Sequence, residues 1–339
     1  MRQLRSWSAH ALFWPCVTLL ALCLINFTFN HGFFQIEVKS GHLYGSVIDI
    51  LNRAAPLMLI SMGMTLVIAT GGIDISVGAV VAVSGAVAAS LIGSAPAGAG
   101  ATPIVLAVVG ALGVGLACGA WNGMLVAGAG MQPIIATLIL MVAGRGVAQL
   151  ITGGQILTIY FEPFYFLGNG FLFGLPFALY LVAAMLLMLL WALRRTALGL
   201  FIQAVGINPT ASRFAGVNAR ALVFWVYTFC GLAAGIAGLI VCSNVKSADG
   251  NNAGLLLELD AILAVTLGGT SLAGGKFNLI GSLIGALIIQ SLTYAIYSIG
   301  VPPEINMVVK AVVVISVCLM QSEAMRTMAL QLVHRKGMA

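Results

Sequence analysis

Long apolar runs separated by short polar segments are the dominant pattern of the chain. About ten runs occur, centred near residues 20, 60, 85, 115, 140, 184, 230, 264, 288 and 313. Because backbone polar groups cannot stay unpaired in lipid, each run of about 17 to 25 apolar residues predicts a membrane-crossing helix. The third and eighth runs are short and glycine-rich, which favours broken or partly re-entrant helices. The pattern predicts an all-α, polytopic integral membrane protein with about 8 to 10 transmembrane helices.

Composition supports this prediction and narrows the class of protein. Of 339 residues, 61% are hydrophobic and only 7% are charged, whereas a soluble domain carries about 25% charged residues. We therefore expect residues 1–339 to form a single transmembrane domain in contact with membrane lipid. The basic residues stand singly or in pairs and form no stripe with aromatic residues, so no nucleic-acid partner is expected. The six cysteines show no metal-ligand spacing and are expected to be buried thiols, with no metal site.

The distribution of basic residues predicts the orientation in the membrane. Arg2 and Arg5 place the N-terminus in the cytoplasm, and we expect the first apolar run to be a retained helix rather than a cleaved signal peptide. Alternation through ten spans then puts about ten basic residues on the cytoplasmic side and only Lys39, Arg53 and Lys246 outside. Both termini are predicted to be cytoplasmic.

Two pairs of similar segments suggest an inverted repeat of spans two to five and seven to ten. "GIDISVGAVVAVSG" places Asp74 at the end of span two, and "LELDAILAVTLGG" places Asp260 at the end of span seven. "GMQP" opens span five and "GVPP" opens span ten. The two sets of spans would run in opposite directions, as in many transporters. Chance similarity between glycine-rich apolar segments is the alternative.

Ionisable residues in or beside spans are costly, so each is a candidate for function. Asp74 and Asp260 are predicted to cap helix N-termini, with substrate contact as the alternative. Lys310 is expected to pair with Asp260 or Glu304 in the bundle rather than to couple an ion. Arg145 would either meet sugar hydroxyls or extend to the membrane interface.

Uncharged polar residues on the spans offer a second set of candidates, consisting of Asn122, Thr137, Gln149 and Gln290. Their side chains suit a neutral polyhydroxylated ligand, and they equally suit hydrogen bonds to a neighbouring helix. Residue types alone do not separate these two uses.

The glycine-rich segment "GGTSLAGGKF" resembles a phosphate-binding loop but lacks residues that such a loop requires. Such a loop needs Gly six residues before the Lys and Ser or Thr after it, to cradle phosphate and to hold magnesium. Thr270 and Phe277 occupy those places. A tight cytoplasmic turn is predicted instead. If ATP drives this protein, another chain must bind the nucleotide.

The longest polar insert on the predicted cytoplasmic side is "QAVGINPTASRFAGVNAR", residues 203–220. Within it, "NPTASRFAG" predicts a short helix that Asn208 or Thr210 caps, Pro209 begins and Gly216 ends. On the cytoplasmic face this helix would offer a rigid projection to a soluble partner. A solvated loop between two spans is the alternative.

Three segments together resemble one transporter family over nearly the whole chain. They are "TALGLFIQAVGINPTASRFAGVNAR", "GGIDISVGAVVAVSGAVAA" and "LELDAILAVTLGGTSLAGGKFNLIGSLIGALI". They resemble the permease subunits of ribose, xylose and galactose type ABC importers, although "GGKFN" departs from the "GGxG" usual at that turn.

The resemblance implies a permease of the bacterial inner membrane with three partners: an ATP-binding cassette ATPase, a periplasmic sugar-binding protein and a second permease. ATP and magnesium would bind the ATPase, with no cofactor on this chain, and the expected sugar is galactofuranose. A cytoplasmic coupling helix would span residues 204–216 and dock on the ATPase, with Ala204, Gly206, Asn208, Pro209, Ala211, Arg213 and Gly216 at the matching positions.

Two other classes of transporter fit the sequence less well. An ion-coupled secondary sugar transporter needs a titratable relay in the bundle, for which Asp74, Asp260, Arg145 and Lys310 are barely enough. A passive channel needs charged rings or a filter motif, and the sequence shows neither.

The purified chain is expected to hydrolyse no ATP, because its sequence contains no complete nucleotide-binding loop. A phosphate-release assay on the chain freed of co-purifying ATPase measures this directly. Turnover that survives this separation would contradict the assignment of ATP hydrolysis to another subunit.

Overall fold

The computed structural model describes residues 12–39, 41–94, 100–300, 308–312 and 315. This part of the chain is an α-helical bundle with a few very short strands. The helices are α1 Phe13–Phe29, α2 Ser46–Ala69, α3 Val77–Gly93, α4 Thr102–Gly123, α5 Pro133–Thr152, α6 Glu162–Asn169, α7 Phe177–Arg195, α8 Leu198–Ile207, α9 Pro209–Phe214, α10 Ala219–Val245, α11 Leu257–Leu267 and α12 Leu279–Ser298. A π-helical turn, Met124–Gly128, extends α4.

Six strands pair antiparallel in three two-stranded sheets within the described residues. The strands are β1 Glu37–Lys39, β2 His42–Tyr44, β3 Leu157–Thr158, β4 Phe171–Leu172, β5 Leu175–Pro176 and β6 Ser247–Ala248. The pairs are β1 with β2, β3 with β6, and β4 with β5. All of them lie in connections between helices, so the predicted all-α class is confirmed.

The predicted apolar runs coincide with the observed helices. Six of the described helices are long and apolar enough to cross a membrane: α2, α4 with its π-helical turn, α5, α7, α10 and α12. The two helices α1 and α3 have 17 residues each, or about 25 Å. The tenth run lies largely outside the described residues, as do both chain termini, including Arg2 and Arg5.

Small residues bring the backbones of α4 and α10 into contact. A Cβ added to Gly115 of α4 would lie 2.6 Å from the Gly231 carbonyl oxygen and 3.1 Å from the Gly235 Cα, both on α10. Such close approach gains dispersion contacts along the whole interface, which matters in lipid because apolar burial gives helices no net attraction there. The glycine content thus serves helix packing.

The two short helices α3 and α11 begin inside the bundle. Gly238 of α10 packs against Val81, and Gly85 packs against Cys242, so α3 starts beside the middle of α10. A side chain on Gly78, in the first turn of α3, would collide with the Glu258 carboxylate of α11. The starts of α3 and α11 therefore meet within the protein, as the short third and eighth runs indicated.

The pairs α2–α3 and α10–α11 share one arrangement: a long helix, a break, and a short helix. The hydroxyl of Tyr227, near the start of α10, donates to the carbonyl of Ile73, just after the end of α2, so the two long helices are antiparallel. This agrees with an inverted repeat for spans two, three, seven and eight. The "GVPP" segment of the comparison lies outside the described residues except Gly300.

The predicted position of Asp260, at the end of span seven, is wrong. The helix α10 stops at Val245 because Lys246 adopts a left-handed conformation with φ of 59°. A connection of residues 246–256 follows, and Asp260 lies in the first turn of α11. Asp74 likewise lies after α2, in the break before α3. Both acids belong to the starts of short helices.

The Gly115→Ala variant is expected to lose about 1 to 3 kcal/mol of stability, because an added methyl group overpacks the α4–α10 contact. Gly113→Ala is the matched control on the same helix, since no atom lies within 4 Å of its added Cβ. Thermal unfolding in detergent compares the two. Equal melting temperatures for both variants would contradict the packing argument.

Candidate functional site

The segment of residues 204–216 does not form the single coupling helix that the family resemblance implies. Helix α8 ends at Ile207, and Asn208 is extended, with φ of −156° and ψ of 99°, before α9 begins at Pro209. Proline disfavours helical conformation in the preceding residue and has no N–H to donate. Two helices therefore meet at Asn208, with Ala204 on α8 and Ala211 on α9.

Helix α9 has the boundaries that its sequence predicts. The Asn208 side-chain oxygen accepts a hydrogen bond from the Ala211 N–H at 2.9 Å, so Asn208 rather than Thr210 is the cap. The Ser212 hydroxyl donates to the Asn208 carbonyl at 2.9 Å. Gly216, with φ of 86°, follows the last turn in a conformation that favours glycine. These groups define both ends of a helix of six residues.

Exposed side chains on and beside α9 form a mixed apolar and basic surface. Phe214 is 89% exposed and Ile207 is 73% exposed, and Arg213 is exposed between them. Contiguous exposed apolar side chains mark a site of contact with a partner protein or with the membrane. We call Ile207, Arg213 and Phe214 the α9 surface.

Three segments are joined beneath the α9 surface. The Gly275 N–H donates to the carbonyl of Ala69, the last residue of α2, at 2.9 Å. A side chain on Gly206 would collide with both of these groups, so α8 packs directly on them. The segment "GGTSLAGGKF" is thus a tight turn, with Lys276 exposed, and its Gly275 amide is already bonded. Movement of α8 must displace α2 and this turn.

A buried polar cluster lies in the break between α2 and α3. The Asp74 carboxylate accepts from the Ser76 N–H at 2.9 Å and from the Ser76 hydroxyl at 2.6 Å. The Asn122 amide donates to Ser76 Oγ at 2.8 Å and to Asp74 at 3.3 Å. All three residues are fully buried. Asp74 does not cap α3 in the predicted way, because its carboxylate binds the N–H of Ser76, just before the helix, and no side chain caps the first N–H groups within α3.

Arg145 and Gln149 bind the connection between α10 and α11. Both lie on α5 one turn apart. The Arg145 guanidinium donates to the Ala253 carbonyl, and the Gln149 amide donates to the Asn251 side-chain oxygen, each at 2.5 Å. Arg145 therefore contacts protein backbone rather than extending to the interface. Sugar contact by either residue stays a prediction.

The connection itself is ordered by Asp249. Its carboxylate accepts hydrogen bonds from the Asn252 side chain at 2.7 Å and from the Asn251 N–H at 2.8 Å. The pKa of the Asp249 carboxyl is lowered, first by the Asn252 side chain, then by the backbone N–H groups, and least by the charge of Arg145. A charged Asp249 thus helps to hold the connection against α5.

Lys310 and Asp260 form an ion pair at 2.6 Å, with side chains 21% and 19% exposed. The sequence allowed either Asp260 or Glu304 as the partner of Lys310, and the structure shows Asp260, while Glu304 lies outside the described residues. The predicted capping role of Asp260 is wrong, because its side chain binds Lys310 rather than the N–H groups of α11.

The structure does not gather all the predicted polar candidates in one place. Thr137 donates to the Pro133 carbonyl of its own helix at 3.0 Å, and Gln290 lies half-buried on α12. Within the described residues, no hydrogen bond joins either residue to Arg145, Gln149 or Asn122. Glu258, 2% exposed at the meeting point of α3 and α11, was not predicted, although its "LELD" segment was recognised.

Comparisons with known proteins agree with a transport subunit built of membrane helices. The family described as "Branched-chain amino acid transport system / permease component" matches residues 46–318. The chain belongs to this permease family. It is a permease subunit of the sugar ABC importer class, a transport protein rather than an enzyme, as the three sequence motifs indicated.

Curated relatives cover almost the whole chain. The galactofuranose transporter permease protein YtfT of Escherichia coli (strain K12) is 53% identical, covering 91% of each chain. The fructose import permease protein FruF of Bifidobacterium longum is 40% identical, covering 96% of this chain and 92% of its own. The ribose import permease protein RbsC of Escherichia coli (strain K12) is 38% identical, covering 91% and 92%. No solved structure matches the chain.

Removing one member of the Lys310–Asp260 pair is expected to destabilise the protein, by less than the roughly 3 to 5 kcal/mol lost from a fully buried pair. Lys310→Met and Asp260→Leu each leave one charge unpaired, whereas the double variant removes both charges. Thermal unfolding of the four proteins gives the coupling energy. Purely additive single effects would show that the pair contributes nothing.

Proposed function

We propose that this chain moves galactofuranose across the bacterial inner membrane, powered by a separate ATPase that docks on the α9 surface. The similarity to the galactofuranose permease supports the choice of sugar, since it exceeds the similarity to the fructose and ribose permeases. A periplasmic sugar-binding protein would deliver the sugar, and a second permease would complete the assembly. The termini would lie in the cytoplasm on the same side as α9.

One observation carries the docking proposal: α9 has defined ends, is exposed on its outer side and is anchored on its inner side. A projection transmits a push only if it stays folded, and the Asn208 cap and Pro209 stabilise this helix. The exposed Phe214 and Ile207 supply apolar contact, and Arg213 adds a charge that selects an acidic counterpart.

The contacts of Gly206 with Ala69 and Gly275 determine which helices move when α9 is displaced. From α9 the displacement passes through α8 to Gly206, and from there to the end of α2 and to the turn at Gly275. That turn connects α11 to α12, which belong to the second half of the inverted repeat, whereas α2 belongs to the first half. A displacement of α9 would therefore act on both halves. Coupling requires that the ATPase bind two arrangements of these helices with different free energies.

The sugar would cross the bundle by exchanging hydrogen bonds with polar side chains, most of them uncharged. Arg145 and Gln149 now hold the connection at residues 249–253, and Asn122 holds Ser76. Each of these contacts closes a possible passage and would open when the helices rearrange. Neutral amide groups suit this task, because they can bond hydroxyl groups as donors and as acceptors.

Arg213→Glu is expected to abolish most ATPase co-purification and sugar uptake while leaving membrane insertion intact, because it reverses the charge of the α9 surface. Arg195→Glu is the matched control, an exposed charge reversal at the end of α7. ATPase recovery and uptake of labelled galactofuranose are measured in the native host.

Normal uptake by Arg213→Glu would contradict docking on α9. Uptake by the wild-type chain alone in proteoliposomes, driven by an ion gradient and without any ATPase, would instead support the ion-coupled alternative. Energised uptake of fructose or ribose but not of galactofuranose would retain the mechanism and overturn the choice of sugar.

A further inference from the structure

A cavity of about 320 Å³ opens at the start of α2. Its wall includes Tyr44, Asp49, Asn52, Asn169, Phe171 and Pro176. Helix α2 has 24 residues, or about 36 Å, and its other end contacts Gly275 beneath the α9 surface. The cavity therefore lies at the opposite end of the bundle from the α9 surface, which is the outer end in the predicted orientation. We call it the outer cavity.

Two hairpins build the aromatic side of the outer cavity. The β1–β2 hairpin is bonded to the β4–β5 hairpin by the Leu43 N–H, which donates to the Gly174 carbonyl at 2.9 Å. The Phe171 ring stacks on His42, with centroids 4.8 Å apart, and contacts Tyr44 at 5.1 Å. These contacts fix the ring, so an aromatic surface is in place before any ligand arrives.

Amide groups line the other side. Asn52 donates to the Gly168 carbonyl at 3.2 Å, and its side-chain oxygen is buried without a partner in the described part of the chain. Asn169 donates to the Ser243 carbonyl at 3.2 Å. The two amides are thus oriented by protein contacts. A buried oxygen left unpaired costs free energy, and a ligand hydroxyl would satisfy it once the Asn52 side chain turns this oxygen toward the cavity.

Asp49 is the charged residue among the lining residues, and its charge is matched by Arg53, which does not itself line the cavity. Arg53 binds both carboxylate oxygens of Asp49, at 3.0 and 2.9 Å. An anionic ligand would be repelled by the Asp49 carboxylate, and a cationic ligand would have to compete with Arg53 for it. Neutral hydroxyl groups can still bond the remaining lone pairs of Asp49.

We propose that the outer cavity binds one free neutral monosaccharide. The C–H face of the sugar would pack on Phe171, and its hydroxyl groups would bond Asn52, Asn169 and Asp49. Ligand pockets typically span about 300 to 1,000 Å³, so this cavity suits a single sugar ring rather than an oligosaccharide. The site is separate from Arg145, Gln149 and Asn122, and it goes beyond the coupling function proposed above.

The test is equilibrium binding of radiolabelled D-galactose to the purified full chain, without sugar-binding protein. Phe171→Leu keeps an apolar side chain but removes the aromatic surface, and Asn52→Leu removes the unpaired oxygen. We expect saturable binding to the wild type and a fivefold to tenfold weaker affinity in each variant, as for the loss of one good contact. D-Galacturonate, of similar size but charged, should bind more weakly than galactose.

Phe166→Leu is the matched control, because Phe166 lies on α6 near the cavity and packs instead on Phe177 at 5.0 Å. Its affinity should stay within twofold of the wild type. Absence of saturable binding to the wild type overturns the proposal. So does unchanged binding in both Phe171→Leu and Asn52→Leu, which would place the sugar elsewhere. Neither outcome affects the docking proposal, which Arg213→Glu tests through ATPase recovery.

Discussion

The need to pair every backbone polar group away from water is the constraint on which the structure depends. A helix that crosses the whole membrane leaves its unpaired ends in water, but α3 and α11 begin inside the bundle, where their first N–H groups need partners. Asp74 binds the Ser76 N–H just before α3, and the buried Glu258 carboxylate lies against the first turn of the same helix. Helix N-termini carry partial positive charge, which stabilises both acids.

The meeting of these two helix starts positions much of the remaining polar structure. Because α11 begins deep in the bundle, the connection of residues 246–256 must descend to it, and it passes along α5. There Arg145 and Gln149 bind it, and a side chain on Gly250 would press on the α5 backbone. A longer α11 would begin nearer the outer face and would leave both α5 side chains without these partners.

The features that the sequence predicted correctly depend on interactions between residues close together in the chain. The features that it missed depend on residues far apart in the chain. Each membrane span must be long and apolar whatever the rest of the chain does. The apolar runs therefore predicted the positions of the helices. The boundaries of α9 were predictable because Asn208, Pro209 and Gly216 act on their immediate neighbours. The position of Asp260 was not predictable in this way. It depends on where α10 ends, which is set by Lys246 and by a connection that α5 holds from a distant part of the chain.

The outer cavity was missed for the same reason. Its wall combines the start of α2 with two hairpins of two- or three-residue strands, which are too short to show an alternating pattern. Only the packed structure brings Phe171 beside Asn52. The residues predicted for a sugar lie within spans, whereas this cavity is built from the first turns of α2 and from connections, where hydropathy carries little information.

Helix α2 joins the two proposed binding ends and is not free to move independently of the bundle. Every residue from Ala54 to Ala69 is buried, so α2 is a central helix rather than a lipid-facing one. A close-packed interior transmits displacement instead of absorbing it. If docking at α9 shifts the end of α2, the wall at Asp49 and Asn52 shifts as well. Any effect of ATPase docking on sugar affinity at the outer cavity must then be matched by an equal effect of sugar on docking, because binding free energies are linked reciprocally.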